Sequence, residues 1–402
     1  MLERNAVLPE RPDWSSAQRV GFRFAFLYFG LYILPFPLVL VPGMRGLVLL
    51  WLELWKAIVL WVGEHVLGIA HPIRTDFTGS GDRLFDWIQI LCFLAVALVG
   101  TAIWSALSRA KHHRRLAGGS RVLVRYYLAT MLLIYGFTKL WKVQFPLPDP
   151  VRLLEPYGES SPMGLLWTFM GASTAYTVLA GLAESVSGFL LFFRRTTLAG
   201  AILILGVMGQ VVVLNLCYDV PVKQFAFHLW LLAALLAAPD LGRVWDVVVR
   251  GRPVPAAAPL EKHPSDTRVL KGIVVVLLVG WLAADAARSY HRWGDGRPLS
   301  PVAGLYEVES GKPWRRVAIG AWAVGIRGAD EKTTYYRLVA WEGDGLRLAD
   351  GPRSARLTLR DGVLSGDFFG EAIRVRLRPA DESATLLLRR GFHWISEEPF
   401  NR

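Results

Sequence analysis

One carboxylic acid, Glu184, lies near the middle of an apolar stretch that is long enough to cross a lipid bilayer. About twenty apolar residues form a helix roughly 30 Å long, which matches the hydrocarbon core. A carboxyl group at that depth costs about 2.5–3.5 kcal/mol on insertion scales, so Glu184 is expected to be protonated or paired with a group on another helix. Intramembrane acids are functional candidates by default, and Glu184 is the first candidate here.

The next candidates are polar residues at the ends of neighbouring apolar stretches. They are Lys139, Asn215, Asp219, Lys223 and His228. Asn215 and Asp219 are four residues apart and therefore share one face of a helix. Together with Glu184, these side chains predict one polar pocket that opens at the outer face of the membrane. The alternative is a set of salt bridges and snorkelling lysines that only fix the packing of the helices.

Other motifs of catalytic chemistry are weak in this chain. The eight histidines lack the spacing of zinc or di-iron sites, and no metal site is predicted. The glycine-rich run TGSGD at 78–82 lacks a Walker lysine, and Ser80 or Asp82 is instead expected to cap the helix that begins near Leu84. No Gly-x-Ser-x-Gly elbow supports nucleophilic hydrolysis.

The composition places these candidates in a membrane protein. Hydrophobic residues make up 53% of the 402 residues, and the mean hydropathy is +0.35. The formal net charge of +12 would suit nucleic-acid binding. In a membrane protein, basic cytoplasmic loops explain it, so no nucleic-acid partner is expected. The cysteines form no C-x-x-C motif, and the N-terminal residues lack the apolar core of a cleavable signal peptide.

The helices that must position the candidates follow from the apolar stretches. Seven spans are predicted: 22–41, 84–107, 122–141, 175–193, 198–216, 225–238 and 272–287. Residues 46–69 carry Glu53, Lys56 and Glu64 on one helical face, which favours an amphipathic helix along the membrane surface over a further span. Seven spans place the N-terminus in the cytoplasm and the C-terminal part outside. Three basic loops then lie on the cytoplasmic side, as the positive-inside rule requires: 108–120, 194–195 and 239–268.

The C-terminal part, 302–402, alternates between apolar and polar side chains, which is typical of β-strands. Asp361-Gly362 separates the runs RLTLR and VLSGDFF and predicts a tight hairpin. Seven or eight strands are expected, and they include the run ATLLLRRGFHW at 384–394. Together they predict a small antiparallel barrel or sandwich.

Two motifs suggest a family. RYYLATMLLIYGFTKL ends in a Gly-x-x-Lys-Leu pattern at 136–140, and AGLAESVSGFLLFFRRTT carries Gly181, Glu184 and Gly188 before Arg195. With the two spans that follow, the stretch 121–238 resembles the DoxX family of small four-helix membrane proteins. The remainder looks like an elaborated bacterial subgroup with a C-terminal domain that ends in a GFHW-type motif.

The resemblance implies a setting in membrane redox chemistry. Relatives in that family include a subunit of a thiosulfate:quinone oxidoreductase. By analogy, the pocket around Lys139, Glu184 and His228 would bind a quinone, with Lys139 or His228 donating a hydrogen bond to a ring carbonyl and Glu184 handling the proton. Because no flavin or haem motif is present, such a chain would need a redox partner subunit to supply electrons.

Three functional hypotheses follow. The chain is an accessory or scaffold component of the bacterial inner membrane, a quinone-binding subunit of a membrane oxidoreductase, or a proton-coupled transporter of a small solute. The third lacks visible inverted repeats. The predicted domains are N-terminal membrane helices (1–120), a DoxX-like four-helix bundle (121–238), a cytoplasmic linker (239–268), a last transmembrane helix (269–290) and an extracytoplasmic β domain (291–402).

Overall fold

The computed structural model describes residues 13–254, 265–381 and 385–390. The GFHW motif at 391–394 and most of the RPVPAAAP tract lie outside the described residues. The chain forms two compact units. The first comprises Met1–Leu133 with Ala183–Lys271, and the second comprises Ile134–Leu182 with Gly272–Arg402.

The α-helices of the described chain are α1 (Ser16–Ile33), α2 (Arg45–Trp61), α3 (Leu84–Leu107), α4 (Arg114–Leu140), α5 (Pro150–Leu154), α6 (Pro162–Ala172), α7 (Thr174–Leu190), α8 (Thr197–Cys217), α9 (Lys223–Ala237), α10 (Leu241–Val248), α11 (Ser265–Trp293) and α12 (Leu386–Arg389). Within the described residues, six helical segments are long and apolar enough to cross a membrane. The pair α6 and α7, which is bent by 97°, makes a seventh if it counts as one span. The predicted class, a polytopic helical membrane protein, is thereby confirmed.

Individual helices differ from the predicted spans. The stretch 46–69 forms α2, which with the turn that follows is itself apolar enough to cross. The stretch 122–141 lies in α4 and is not among the six, because Arg125 and Lys139 lower its hydropathy. The predicted span 175–193 is a shorter helix, α7, which reaches the length of a span only together with α6.

Contacts inside the first unit show which loops share an end of its helices. At one end, the backbone N–H of Trp14 donates to the carbonyl oxygen of Lys111 at 3.3 Å, so the start of α1 lies beside the loop after α3. At the start of α3, the N–H of Gly81 donates to the carbonyl oxygen of Pro221 at 2.8 Å, so the loop before α3 lies beside the loop before α9. Since α1 and α3 pack along each other and the start of α1 lies beside the end of α3, the two helices run in opposite directions.

The β domain is a closed barrel of eight antiparallel strands in the second unit. The strands are β1 (Gly304–Ser310), β2 (Trp314–Ile319), β3 (Ala323–Gly328), β4 (Thr333–Glu342), β5 (Gly345–Asp350), β6 (Arg353–Arg360), β7 (Val363–Phe368) and β8 (Glu371–Pro379). Each pairs with the next along the chain, and β8 closes on β1 with Val308 opposite Leu377. In β6, buried Leu357 and Leu359 alternate with exposed Arg356, Thr358 and Arg360, so the aliphatic side chains fill the interior.

Two local predictions for this domain have opposite outcomes. The hairpin at Asp361-Gly362 is confirmed, and both residues have positive φ, 50° and 72°, as a type I′ turn requires. The expected strand around Leu386 is wrong, because Leu386–Arg389 form the short helix α12. Since β8 already pairs with β1, the barrel offers no free edge to a ninth strand.

Helix α5 packs on the barrel within the second unit. Its Leu154 is buried with Leu305 and Ala318 of β1 and β2. Two glycines leave room for this contact: a Cβ on Gly320, just after β2, would meet Asp149 Oδ2 at 2.7 Å, and one on Gly325 of β3 would meet a methyl carbon of Leu154 at 3.1 Å. The long loop after α4 is thus part of the same unit as the barrel.

Candidate functional site

His228 is the best defined of the predicted site residues. It is buried in α9, where its Nδ1 lies 2.6 Å from the carbonyl oxygen of Gln224 and its Nε2 lies 2.6 Å from Tyr28 Oη. A carbonyl oxygen only accepts, so Nδ1 carries the proton and Nε2 of the neutral ring accepts from the Tyr28 hydroxyl. The ring of Tyr32 stacks on the imidazole at a centroid distance of 4.1 Å.

Sequence reasoning missed the two tyrosines. Tyr28 and Tyr32 are four residues apart on α1, so both side chains point toward the same neighbour. The sequence did contain a signal for them, because two tyrosines four residues apart lie inside the first apolar stretch and so share one face of its helix. The neighbouring helix α9 has the matching pair Gln224 and His228 at the same spacing. Nothing in the sequence indicates that α1 and α9 are neighbours, because about two hundred residues separate them.

Asp219 and Lys223 form an ion pair where α8 meets α9. The Lys223 Nζ lies 2.8 Å from Asp219 Oδ1 and 3.9 Å from Asp82 Oδ2. The buried Asn215 donates from Nδ2 to the carbonyl oxygen of Val222 at 3.3 Å and so ties the end of α8 to the start of α9. These three predicted residues therefore lie together around the α8–α9 turn.

Asp82 caps a different helix from the one expected. Its carboxylate accepts from the backbone N–H of Lys223 at 2.7 Å and of Gln224 at 3.0 Å, so it caps the N-terminus of α9. The prediction that Ser80 or Asp82 caps α3 is wrong. Asp86 serves there, since its Oδ2 accepts from the backbone N–H of Arg83 at 3.0 Å. The local sequence suggested an acceptor at this place but not which helix would use it.

Glu184 and Lys139 fall in different units. Glu184 is 3% exposed on the part of α7 that belongs to the first unit, and Lys139 is 6% exposed on the part of α4 that belongs to the second. Both side chains have partners in the protein. The Lys139 Nζ lies 5.7 Å from the ring centroid of Tyr135 and 5.9 Å from that of Phe145, within reach of cation–π attraction.

Beside Glu184, the Ser185 hydroxyl is buried and has no hydrogen-bond partner among the described residues. Buried hydroxyl groups in proteins are nearly always hydrogen-bonded. The Ser185 hydroxyl is therefore a candidate donor to a group that the protein binds. Among the described residues, no three His, Cys, Asp or Glu side chains are grouped so that they could hold a metal ion.

Close packing of α7 on α4 depends on glycine. A Cβ on Gly181 would lie 2.8 Å from the carbonyl oxygen of Gly136 and 2.9 Å from Cβ of Lys139. Further along α7, a Cβ on Gly188 would lie 2.9 Å from Cβ of Leu132. The small residues that surround Glu184 thus allow backbones to approach closely, as in membrane helix pairs generally.

Part of the chain is similar to a known protein. The chain is 28% identical over 116 residues to the uncharacterized protein YwoB of Bacillus subtilis, which covers 29% of this chain and 73% of that protein. No protein-family model matches the chain. No solved structure matches it either.

Proposed function

We propose that the chain is a DoxX-like accessory protein of a bacterial inner membrane, which docks a partner in envelope redox processes. The resemblance of 121–238 supports the family and the redox setting. The bonding of the candidate residues supports an accessory role over a catalytic one. Asn215, Asp219, Lys223 and His228 bond to groups of the chain itself, which is how residues that fix helix packing behave.

The observation that carries the docking role is a group of exposed arginines on the outside of the barrel. Four of them have no ion-pair partner among the described residues: Arg337, Arg347, Arg356 and Arg374. Other barrel arginines are paired, as Arg378 is with Glu307 at 2.5 Å. Arg347 and Arg356 lie directly opposite each other on β5 and β6, where like charges repel, and Arg356 also lies opposite Asp367 of β7 without forming an ion pair with it. A surface that retains this repulsion favours a partner with an acidic face.

The docking role is tested by photo-crosslinking in living cells. A photoreactive amino acid at Thr358, an exposed position on β6, is expected to give a discrete adduct of the full chain with one protein. Arg347→Glu with Arg356→Glu should reduce that adduct several-fold by reversing the charge. The matched control is Arg360→Glu, since Arg360 already pairs with Asp344 at 3.5 Å. An adduct that is insensitive to the charge reversal would count against an acidic partner, and no adduct at all would count against docking at this face.

For the membrane topology, we propose seven crossings with α2 along the surface. The start of α1 and the loop after α3 share one end, so α2 and the loop 67–83 must begin and finish at the other end. If α2 crossed, that irregular loop would have to cross back through hydrocarbon, where exposed irregular backbone does not occur. The N-terminus and the basic loop 108–113 then lie in the cytoplasm, and the barrel lies outside.

Reporter fusions test the topology. Fusions at residues 75 and 300 should both report an extracytoplasmic position, and a fusion at residue 110 should report the cytoplasm. A cytoplasmic signal at residue 75 would mean that α2 spans the membrane. A cytoplasmic signal at residue 300 would place the barrel inside and remove the envelope setting from the proposal.

A quinone-binding subunit is the second candidate function, and the Ser185 hydroxyl favours it. The buried Ser185 hydroxyl has no hydrogen-bond partner among the described residues and is available to donate to a quinone carbonyl, with the adjacent Glu184 as the proton-handling group. The protein is purified in mild detergent and the extract is analysed for co-purifying quinone. Wild type should retain quinone, and Glu184→Gln and Ser185→Ala should each retain less. If the wild-type extract contains none, this candidate has no support.

A further inference from the structure

Basic side chains gather around the turn between α7 and α8, at the end of the first unit that also holds the start of α4. Arg125 of α4 is 5% exposed, and its Nε and Nη2 donate to the carbonyl oxygen of Leu191 at 3.0 and 2.7 Å. Lys271 of α11 donates from Nζ to the carbonyl oxygen of Phe192 at 2.7 Å. Two cations thus bond the last carbonyl groups beyond α7, as basic residues at helix C-termini do.

The positive charge at this turn exceeds what the helix end can balance. A helix C-terminus carries roughly half of one negative charge. Arg194 is exposed on the same turn and repels both Arg125 and Lys271. Asp240 is already shared, because it pairs with Arg121 at 3.5 Å and with Arg243 at 3.3 Å. Within the described chain, the three cations have no carboxylate partner.

Apolar side chains beside the cations indicate what kind of anion fits. Phe193 is 50% exposed next to Arg194, and Leu270 is 63% exposed next to Lys271. Val122, about one turn before Arg125, is 49% exposed. The ring of the half-buried Tyr126 faces Lys271, with 5.8 Å between Lys271 Nζ and the ring centroid. Cations bordered by exposed aliphatic groups and an amphipathic ring match a phospholipid, whose phosphate and acyl chains lie side by side.

We infer that Lys271 and Arg194 bind the phosphate group of an anionic phospholipid in the leaflet at this end of the helices, with the buried charge of Arg125 beside them. Arg125 is 5% exposed and is held in place by its bonds to Leu191, so it contributes its positive charge from within the helices. Lys271 keeps two ammonium protons beyond the one that it gives to Phe192, and Arg194 is open to the headgroup. None of these three residues belongs to the barrel or to the candidate site at Glu184, so the inference is independent of the function proposed above.

The test is lipid binding by the purified full chain in detergent micelles, followed by native mass spectrometry. The probes are phosphatidylglycerol and phosphatidylcholine with identical acyl chains. Wild type should prefer phosphatidylglycerol. Lys271→Gln and Arg194→Gln should each weaken its binding by about fivefold, the effect of one basic residue at an anionic lipid surface, and leave phosphatidylcholine unchanged. Lys271→Gln removes the charge and keeps a side-chain N–H donor at this position.

A control variant and a competition with inorganic phosphate distinguish lipid binding from the binding of any anion. Arg250→Gln is the matched control, since Arg250 is an exposed cation already paired with Asp246 at 3.0 Å. Competition with excess inorganic phosphate at constant ionic strength shows whether the site prefers a phospholipid headgroup or free phosphate. If phosphate displaces the lipid readily, the site binds a soluble anion and the lipid assignment fails. Equal affinity of wild type for the two lipids, or variants that keep the preference, would also overturn it.

Discussion

Tyr28 and His228 complete each other's hydrogen bonds between α1 and α9. Tyr28→Phe removes the donor to His228 Nε2 and leaves a buried acceptor without a partner, which should lower the free energy of unfolding by about 1–3 kcal/mol. Thermal unfolding in detergent measures this. Tyr157→Phe is the control because Tyr157 is 81% exposed, and it should have no effect. Equal stability of the two variants would mean that the Tyr28 hydroxyl contributes nothing.

His113 should make stability depend on pH. Buried Arg23 donates from Nε to His113 Nε2 at 3.1 Å, so the imidazole must stay neutral to accept. Burial, and next the Arg23 charge, lower the pKa of His113 below its ordinary value of 6.5. Because its pKa is lowered in the folded state, His113 becomes protonated at a lower pH in the folded protein than in the unfolded chain. The stabilisation is therefore complete above about pH 6.5 and is lost as the pH falls through the folded pKa.

The pH prediction is measured as the unfolding temperature of the full chain between neutral and mildly acidic pH. His113→Gln keeps an amide oxygen that can accept from Arg23 but does not titrate, so its curve should be flatter over that window. If wild type and His113→Gln lose stability in parallel, other groups control the acid response.

At the scale of helices, the approach of α7 to α4 fixes the surroundings of Glu184. Gly181→Ala places a Cβ against backbone atoms of α4 that cannot move aside singly, so the variant should lose about 1–3 kcal/mol of stability. Gly206→Ala on α8 is the control, because nothing lies within 4 Å of the added Cβ and alanine favours the helix. Thermal unfolding distinguishes them, and equal melting of both variants would contradict tight packing at Gly181.

Asp82 shows why local patterns gave only part of the site. Its cap on α9 joins residues 141 positions apart in sequence, so the acceptor was recognisable but its helix was not. The same holds for Tyr28, whose partner His228 is 200 positions away. Apolar length and alternation predicted the existence of helices and strands, because those periodicities are local. Neighbour relations between distant helices depend on tertiary packing, which a single sequence does not display.

For the whole molecule, the closed barrel predicts uniform protection of its strands. Since β8 pairs with β1, neither is an edge strand and the backbone N–H groups that face the partner strand are bonded in both. Hydrogen exchange of the intact protein should therefore be as slow for β1 and β8 as for the centrally placed β5 and β6. Fast exchange confined to β1 and β8 would indicate an open sheet.

The sequence predicted an antiparallel β domain because the alternation of its strands is local and one turn, Asp361-Gly362, has a clear hairpin signal. The sequence did not decide between a barrel and a sandwich, because closure of the barrel depends on a pairing between residues about 70 positions apart, such as Val308 and Leu377. It also placed a strand at Leu386 where apolar residues were abundant. Only the completed β1–β8 pairing explains why no strand forms there.

The β1–β8 seam also bears on how such a protein can arise. The chain enters the barrel at Gly304 and leaves it near Ala380, whose N–H donates to the carbonyl oxygen of Leu305 at 2.7 Å. A domain whose entrance and exit are adjacent can be gained, lost or exchanged by recombination without redirecting the chain that carries it. Helix α5, whose Leu154 is buried against the barrel, is the part of the remaining chain that such an exchange would have to alter.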